Sequence, residues 1–473
     1  MNLILVIVDS LRQDHIGAYG NKWIETPNID QLAANSVIFD KCFPEALPTI
    51  PFRRSVYTGL RSFPFSTFQP VKGDPVRFEG WQPIPENQST IVELLSNQDY
   101  RTALFTDTYH QFKPSMNFIR GFQQWELIRG QVVDFYRSSR KGINPELYLT
   151  KKMHGTGAER MLIQYLSNVN KINLEQDSAT FPARLFMKAA QWLAENADES
   201  RFFLVVDCFS PHEPFDPPKE YWKKYNPGYK GKSIILPQYG KADYLSPAEL
   251  AQMRALYAGK VTLVDHWFGY FMNKIKQLDL LDNTMIVLVS DHGVSLGERG
   301  LIGKVPWGMN RELMEIVALL YHPKLAAGKI PNYIQSHDLV ATIFNLLGYE
   351  KDFFDGINLV PLLERQANNP RQYVTSILGN YVWIQNNDYM MTCRIDGKDA
   401  SLYDLNNDPQ QRHNIIADKM KVAQELFHLI LQDAGGSLPA YADDWPIESF
   451  GANWIPKYQQ DFPKPKSKYE IKF

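Results

Sequence analysis

The residues able to do chemistry stand where apolar runs end. Residues 3–8 form a continuous aliphatic run with β-branched members, and the next residue is Asp9. Residues 285–290 form a second run, followed by Asp291, His292 and Gly293. Such runs suit central parallel strands covered on both faces. In open α/β sheets ligands gather outside the carboxyl ends of the strands, so an acid or imidazole at that edge is placed to act. Two carboxylates and an imidazole suit a divalent cation. A hydroxyl in such an ion's open position loses its proton more readily and can then attack. Thr49, in Leu-Pro-Thr-Ile-Pro-Phe-Arg-Arg, is the candidate hydroxyl. It stands just before a helix predicted over residues 51–58, where free N–H groups and the positive end of the helix dipole face an anion. Arg53 follows four residues on, one helical turn, and can hold charge on the nucleophile or on a bound oxyanion. Read singly, Asp9 is equally a cap, Asp-His-Gly a strand-end turn and Arg53 a surface ion pair. Their order along one chain favours the metal-site reading.

The elements that must position these residues alternate. Thr26-Pro27 reads as an N-cap followed by Pro at the first helical position, starting a helix through Leu32. Residues 37–43 read as a strand, 91–95 as a short helix, 102–105 as a strand, and 185–193 as a helix leading to the strand 202–209. A longer helix over 250–271 precedes the strand 285–290. This alternation predicts an α/β fold with a large, doubly wound sheet and crossover helices. The stretch 211–237, rich in Pro, Tyr, Lys and Gly, reads as a long surface loop over the sheet edge. Past residue 363 the texture changes. Four short strands, 373–377, 381–385, 389–394 and 401–404, predict a small antiparallel sheet. A helix over 418–434 follows, with Asp418 as N-cap and Gly435 just beyond its end. The division is therefore 1–363 for the catalytic part and 364–473 for a C-terminal part. The closing stretch, with Trp445, Trp454 and Tyr458, reads as an irregular tail whose aromatics pack back onto the body.

Composition narrows the function. With 473 residues the chain has ample material for a large core. Fifty basic residues against fifty-two acidic ones leave no global positive field for nucleic acid or an anionic membrane. The three cysteines, Cys42, Cys208 and Cys393, are too few and too widely spaced for a disulfide scaffold or a Cys-rich zinc site. The opening apolar run ends at Asp9 and lacks a basic flank, so neither a signal peptide nor a membrane helix is predicted; the expected compartment is the cytoplasm.

Taken in order, the blocks resemble the sulfatase branch of the alkaline phosphatase superfamily. Asp9-Ser-Leu-Arg-Gln-Asp-His-Ile-Gly-Ala-Tyr-Gly and Thr26-Pro-Asn-Ile-Asp-Gln-Leu-Ala resemble its first block. Thr49-Ile-Pro-Phe-Arg-Arg-Ser-Val-Tyr-Thr-Gly resembles its nucleophile block, and Ser210-Pro-His-Glu-Pro-Phe-Asp-Pro-Pro its histidine loop. Ser290-Asp-His-Gly-Val-Ser-Leu-Gly-Glu-Arg-Gly resembles its second metal block, with Lys304 thirteen residues past Asp291. Ser401-Leu-Tyr-Asp-Leu-Asn-Asn-Asp-Pro and Asn414 resemble its C-terminal signature. The resemblance implies an alkaline-phosphatase-like, mostly parallel sheet, with His212 and Lys304 touching the transferred group and the leaving oxygen. The family's Gly-Lys-Trp-His block has no close counterpart in Thr106-Asp-Thr-Tyr-His-Gln-Phe-Lys, where Tyr109 and His110 stand nearest and are assigned to substrate binding.

The departures from the family pattern carry the substrate reading. Sulfatases oxidise a Cys or Ser to formylglycine within Cys/Ser-x-Pro-Ser-Arg; here Thr49 and Phe52 occupy the first and fourth places, and threonine cannot yield formylglycine by that route. The paired N-terminal aspartates are Asp9 and Ser10, and the second metal pair is Asp291 and His292. This set looks like that of single-metal phosphonate monoester and phosphodiester hydrolases and of phosphoethanolamine or phosphoglycerol transferases, several of which use threonine directly. The expectation is one divalent ion, manganese, zinc, calcium or magnesium, held by Asp9, Asp291 and His292 with Thr49 as nucleophilic ligand. Nitrogen ligation by His292 tilts the choice toward manganese or zinc. Arg53, His212 and Lys304 handle the charged group of a small phosphodiester, phosphonate monoester or related substrate. Sulfate-ester hydrolysis and non-catalytic anion binding are the alternatives, and association into a homo-oligomer is compatible with the family.

Overall fold

The aliphatic runs around residues 3–8, 37–43, 102–105, 202–209 and 285–290 all lie in one sheet of eight strands. The computed structural model describes residues 1–66, 79–112, 116–132, 134–198, 201–349, 352–364 and 371–439. The strands are β1 (Asn2–Val8), β2 (Val37–Phe43), β3 (Arg101–Thr106), β4 (Gln124–Leu127), β5 (Phe202–Cys208), β6 (Thr284–Ser290), β7 (Ala318–Tyr321) and β8 (Gly328–Gln335). Their spatial order is β8-β2-β7-β6-β1-β5-β3-β4. Only β7 runs against its neighbours, pairing antiparallel with both β6 and β2. The other contacts are parallel, as expected of runs buried on both faces.

Strand alternation sends β1, β5 and β6 side chains to two different cores. Ile4, Val6, Val8, Leu204, Val206, Ile286 and Leu288 pack with helices α1 (Pro27–Ala33), and, further along the chain, Gly157–Val169, Phe181–Asn196 and Pro247–Gln277. Leu3, Leu5, Ile7, Phe203, Val205, Met285, Val287 and Val289 face α2 (Thr49–Thr58), α3 (Ile91–Ser96) and Ser336–Leu346. Continuing these series by two residues reaches Asp9, Asp207 and Asp291. All three therefore fall on the face that α2 covers. Four of the helices after α3 are α4 (Gly157–Val169), α5 (Phe181–Asn196), α6 (Pro247–Gln277) and α7 (Ser336–Leu346).

A second sheet, antiparallel throughout, contains β9 (Tyr373–Leu378), β10 (Tyr381–Asn386), β11 (Tyr389–Arg394) and β12 (Ser401–Asp404). On one face Val382, Ile384 and Met391 meet Leu426, Phe427 and Ile430 of α8 (Met420–Asp433). On the other, Val374, Leu378 and Trp383 meet Phe43, Met314 and Tyr333 of the large sheet's flank. Leu47 N–H bonds to Ile377 O at 2.9 Å and Gln335 Nε2 to Thr375 O at 2.6 Å, tying the two sheets together.

Four local expectations change. The nucleophile helix begins at Thr49 itself, with Pro48 as N-cap, so Thr49 lies within the first turn and not before it. The Thr26 hydroxyl accepts from Gly17 N–H and donates to Asp30 and so caps no N–H of α1. Helix α8 follows Lys419, and Asp418 stands outside it; Gly435 does follow its end, at φ +79°. The stretch 211–237 is not merely superficial, because Phe215, Ile234 and Leu236 are core residues. The tail with Trp445, Trp454 and Tyr458 lies outside the described residues. Among the described residues no helix is long and apolar enough to cross a membrane.

Candidate active site

Register explains why three acids converge. Val8 pairs with Ser290 on one side and Cys208 on the other, so β1, β5 and β6 end level with one another. Asp9, Asp207 and Asp291 then crowd one edge, all fully buried. The turn after β1 is held in an unusual backbone shape. Ser10 has φ +60°, a left-handed conformation that non-glycine residues adopt only when their surroundings hold them there. Its N–H donates to Asp291 Oδ1 at 2.9 Å, its Oγ donates to Asp9 Oδ1 at 2.9 Å, and its carbonyl accepts from Tyr257 Oη at 2.6 Å. After β6, Gly293 has no alternative, because a Cβ there would come within 1.9 Å of Glu312 O. That close approach lets the chain turn with His292 inward.

Arg53 stands at the centre of the acids. Its Nη1 lies 2.7 Å from Asp291 Oδ2 and its Nη2 3.2 Å from Asp9 Oδ2. Nε and Nη2 form a fork on Asp207, at 2.8 and 2.7 Å. Nη1 also donates to Thr49 O at 3.0 Å, one turn back along α2. The sequence reading correctly folded Arg53 over Thr49, but a surface ion pair is excluded, since Arg53 is fully buried. Arg54 points elsewhere, to Gln82 O and Pro83 O. Asp207 went unread as a site residue. Its remaining lone pairs accept from Thr108 Oγ1 at 3.0 Å and Gln111 Nε2 at 2.8 Å. The signal was the one that marks Asp9: a buried apolar run, Phe202-Phe-Leu-Val-Val, that stops at an acid.

Three buried carboxylates face one guanidinium, and the residual negative charge has a locus. His292 Nδ1 lies 2.8 Å from Gly293 O, which can only accept, so Nδ1 carries the proton and Nε2 offers a lone pair. That lone pair is buried with no hydrogen-bond partner, 3.6 Å from Asp291 Oδ2 and 3.9 Å from Asp9 Oδ1. Three acceptors facing one another require a proton or a cation between them. The donor atoms of Asp9, Asp291 and His292 all lie within 4.8 Å of one another, a spacing that suits one metal ion. The residues therefore fit a divalent cation. The electrostatics agree. Burial, with Asp291 beside it, pushes Asp9 well above the usual carboxylate range. Burial also acts to raise Asp291, but His292 and Arg53 outweigh it and hold this carboxyl low. Burial lowers His292 to about 4 against the pull of Asp291.

His212 and Lys304, distant in sequence, meet at 2.7 Å, Nζ to Nε2. His212 Nδ1 is taken up by Glu213 O at 2.7 Å. Burial and the Lys304 charge push His212 well below its ordinary value. Its ring stacks on Phe209 at 4.0 Å, and His110 lies 6.0 Å from the same Phe209 ring, edge-on to Trp81 at 5.2 Å. His110 thus joins the His212 side of the site through a ring contact. Tyr109 is half-buried, has the Arg129 guanidinium 5.6 Å from its ring, and lines a cavity of about 720 Å³ with Gln111, Trp125 and Arg129. Thr49 is 3% exposed, and its carbonyl links it through Arg53 to Asp291.

Known proteins resemble this chain in sequence and in fold. The family model described as Sulfatase matches residues 1–349. An arylsulfatase of Clostridium perfringens is 23% identical over 464 residues, covering 88% of this chain and 90% of its own. A multifunctional alkaline phosphatase superfamily protein, PehA of Trinickia caryophylli, is 25% identical, with 76% and 77% covered. The crystal structure of the phosphonate monoester hydrolase of Agrobacterium radiobacter superposes with a TM-score of 0.69 at 20% identity, over 92% of this chain and 95% of that one. The match of a family model to most of the chain, on a fold its members share, establishes that this protein belongs to the sulfatase family of the alkaline phosphatase superfamily and is an ester hydrolase.

Proposed function

We propose that this hydrolase cleaves phosphodiesters or phosphonate monoesters, with Thr49 as the attacking group and one divalent cation held by Asp9, Asp291 and His292. The observation that carries the metal is the buried, unpartnered His292 Nε2 facing two carboxylate oxygens. A bound divalent ion supplies a lowered pKa to a neighbouring hydroxyl and positive charge to the transferred group. Manganese or zinc suits a site with one imidazole among two carboxylates. The chain's own residues do the rest. Arg53 holds charge on the nucleophile and on the equatorial oxygens of the transferred group. Lys304 and His212 stand for the leaving oxygen, and His110 and Tyr109 for the remainder of the substrate.

The residue type at position 49 favours phosphorus over sulfur. A formylglycine hydrate carries a second oxygen through which it collapses to an aldehyde and expels sulfate by C–O cleavage. A threonine ester lacks that oxygen, so its intermediate is released by water attacking phosphorus or sulfur. The phosphonate monoester hydrolase whose fold this chain shares supports the phosphorus reading. Sulfate-ester hydrolysis is the second reading, supported by the arylsulfatase similarity over 88% of the chain. Cys42 and Cys208, both buried and in no disulfide, suit the reducing cytoplasm. We keep the boundary between catalytic and C-terminal parts at residues 363/364. The test compares 4-nitrophenyl phosphodiester, phosphonate and sulfate substrates on the metal-loaded protein and its Thr49→Ala variant. The proposal expects kcat/KM to rank the phosphorus esters above the sulfate, with turnover of each abolished in the variant. A preferred sulfate reverses the ranking of the two readings, and full turnover without the hydroxyl removes Thr49 from the mechanism.

A further inference from the structure

We infer that Glu213 is a positioning residue for leaving-group protonation, acting as the buried counter-ion of Lys304; this rests on the reading above, in which Lys304 serves the leaving oxygen. The geometry first settles which group brings the proton. His212 Nδ1 gives its hydrogen to a carbonyl, and Nε2 receives the Lys304 ammonium at 2.7 Å. A neutral imidazole of that tautomer has no proton left on the side of Lys304. The proton carrier of the pair is therefore Lys304, with His212 aiming it.

Glu213 brackets this pair. Its Oε1 lies 3.5 Å from Lys304 Nζ and accepts from the Tyr239 hydroxyl. Its Oε2 lies 3.5 Å from His212 Nδ1 and has no hydrogen-bond partner. Glu213 is 5% exposed and the Lys304 side chain 7%, so little water screens either charge. The Lys304 ammonium also lies 5.2 Å from the Tyr239 ring centroid, a cation–π contact from the same residue that holds Glu213. Gly303 makes that approach possible, because a Cβ there would come within 2.3 Å of the Tyr239 ring. The charged or titratable groups facing Lys304 are thus Glu213, His212 and Tyr239, with Asp9 and His292 acting at longer range. A buried ammonium without a counter-charge sheds its proton. Glu213 supplies that charge.

The chemistry balances. As the Thr49 oxygen, already deprotonated, forms its bond to phosphorus, the bond to the leaving oxygen breaks and that oxygen takes a proton from Lys304. Water then attacks phosphorus and gives a proton to the Lys304 amine, while the Thr49 oxygen departs. The ammonium is restored, and Glu213 keeps its charge throughout.

The experiment measures kcat/KM of the metal-loaded enzyme for aryl phosphodiesters whose leaving phenols span weak to strong basicity. Glu213→Gln is expected to lose activity in proportion to leaving-group basicity, with up to about 10²-fold loss for the most basic phenol. Glu213→Asp, which keeps the charge, is expected to retain the wild-type slope. It also carries the test if the glutamine variant does not fold, since a slope steepened to that of Lys304→Ala would then overturn the inference. In a Lys304→Ala background, Glu213→Gln is expected to add nothing further. A loss equal for all leaving groups, or one that persists without Lys304, overturns the counter-ion role. Loss of every activity in Thr49→Ala tests the mechanism itself and leaves this slope as a separate result.

Discussion

Arg53 grips Asp207 with two parallel hydrogen bonds, Nε to Oδ2 at 2.8 Å and Nη2 to Oδ1 at 2.7 Å, both residues fully buried. A fork of this kind fixes the plane of the guanidinium, which lysine could not do. The second arm, Nη1, is thereby aimed at Asp291 and at the Thr49 carbonyl. Asp207 holds hydrogen bonds to Arg53, Thr108 and Gln111, and is a positioning residue.

Removing that grip should be costly. Asp207→Ala takes one partner from a buried ion pair, and the expected destabilisation is about 3–5 kcal/mol. Denaturant unfolding reads it. Arg53→Lys should fold better and still lose kcat/KM for anionic esters, because one ammonium cannot hold three carboxylates and the Thr49 carbonyl at once. Wild-type kinetics in the lysine variant would remove the fork from the account.

Metal retention separates the three proposed ligands from their neighbours. After exhaustive dialysis, elemental analysis should find one equivalent of a divalent metal in the wild-type protein and far less in Asp9→Asn and His292→Ala. His212→Ala, whose Nε2 is engaged by Lys304 at 2.7 Å, should keep the ion. Equal metal content in all four proteins would contradict the assignment.

Tyr257 is predicted to hold the Asp9 corner from behind. Its hydroxyl donates to Ser10 O at 2.6 Å and accepts from Arg12 N–H at 3.0 Å. Tyr257→Phe leaves both buried backbone groups unpaired, at a cost of about 1–3 kcal/mol. Because Ser10 sits at φ +60°, the loosened turn should also weaken metal affinity, read by competition with a chelator. Unchanged affinity with reduced stability would confine Tyr257 to a structural role.

Acid sensitivity should trace in part to His337, away from the site. Burial, aided by Arg371 and Arg61, lowers it to about 3, despite Asp338 beside it. The unfolded chain protonates this imidazole near its ordinary value and the folded chain does not. Stability is therefore complete above about pH 6.5 and falls as pH drops toward 3, by at most about 1.4 kcal/mol per pH unit. His337→Gln should flatten the urea midpoint over that window. Parallel curves for the two proteins would contradict the assignment.

What was readable in the sequence follows from burial. β1, β5 and β6 are covered on both faces, so each is an unbroken apolar run, and the acid that ends it stands out. The edge strands carry no such mark. β4 is Gln-Trp-Glu-Leu with both ends of its pattern exposed or half-exposed, and β8 contains Pro331 at a register shift between Ile330 and Tyr333. An edge strand tolerates proline because one side of its backbone needs no partner. Helix α4 was unread because its apolar positions are interrupted by Glu159, Arg160, Gln164 and Asn168. Asp9, Asp291 and His292, whose donor atoms the fold brings together, were legible from type and order. Asp207 carries the same mark but lies outside those blocks. Glu213 lies within the quoted histidine loop, but its place beside Lys304 depends on a tertiary contact between residues 91 positions apart.

Whether Thr49 is the attacking group is decided most directly on the peptide that contains it. The metal-loaded enzyme is mixed with a slow aryl phosphodiester, quenched in acid during the first turnover, digested and analysed by mass spectrometry. The account predicts a phosphoryl ester on Thr49 that forms with the burst of phenol and disappears in the chase. A phenol burst with the adduct on another residue, or with Thr49 unmodified throughout, would contradict it.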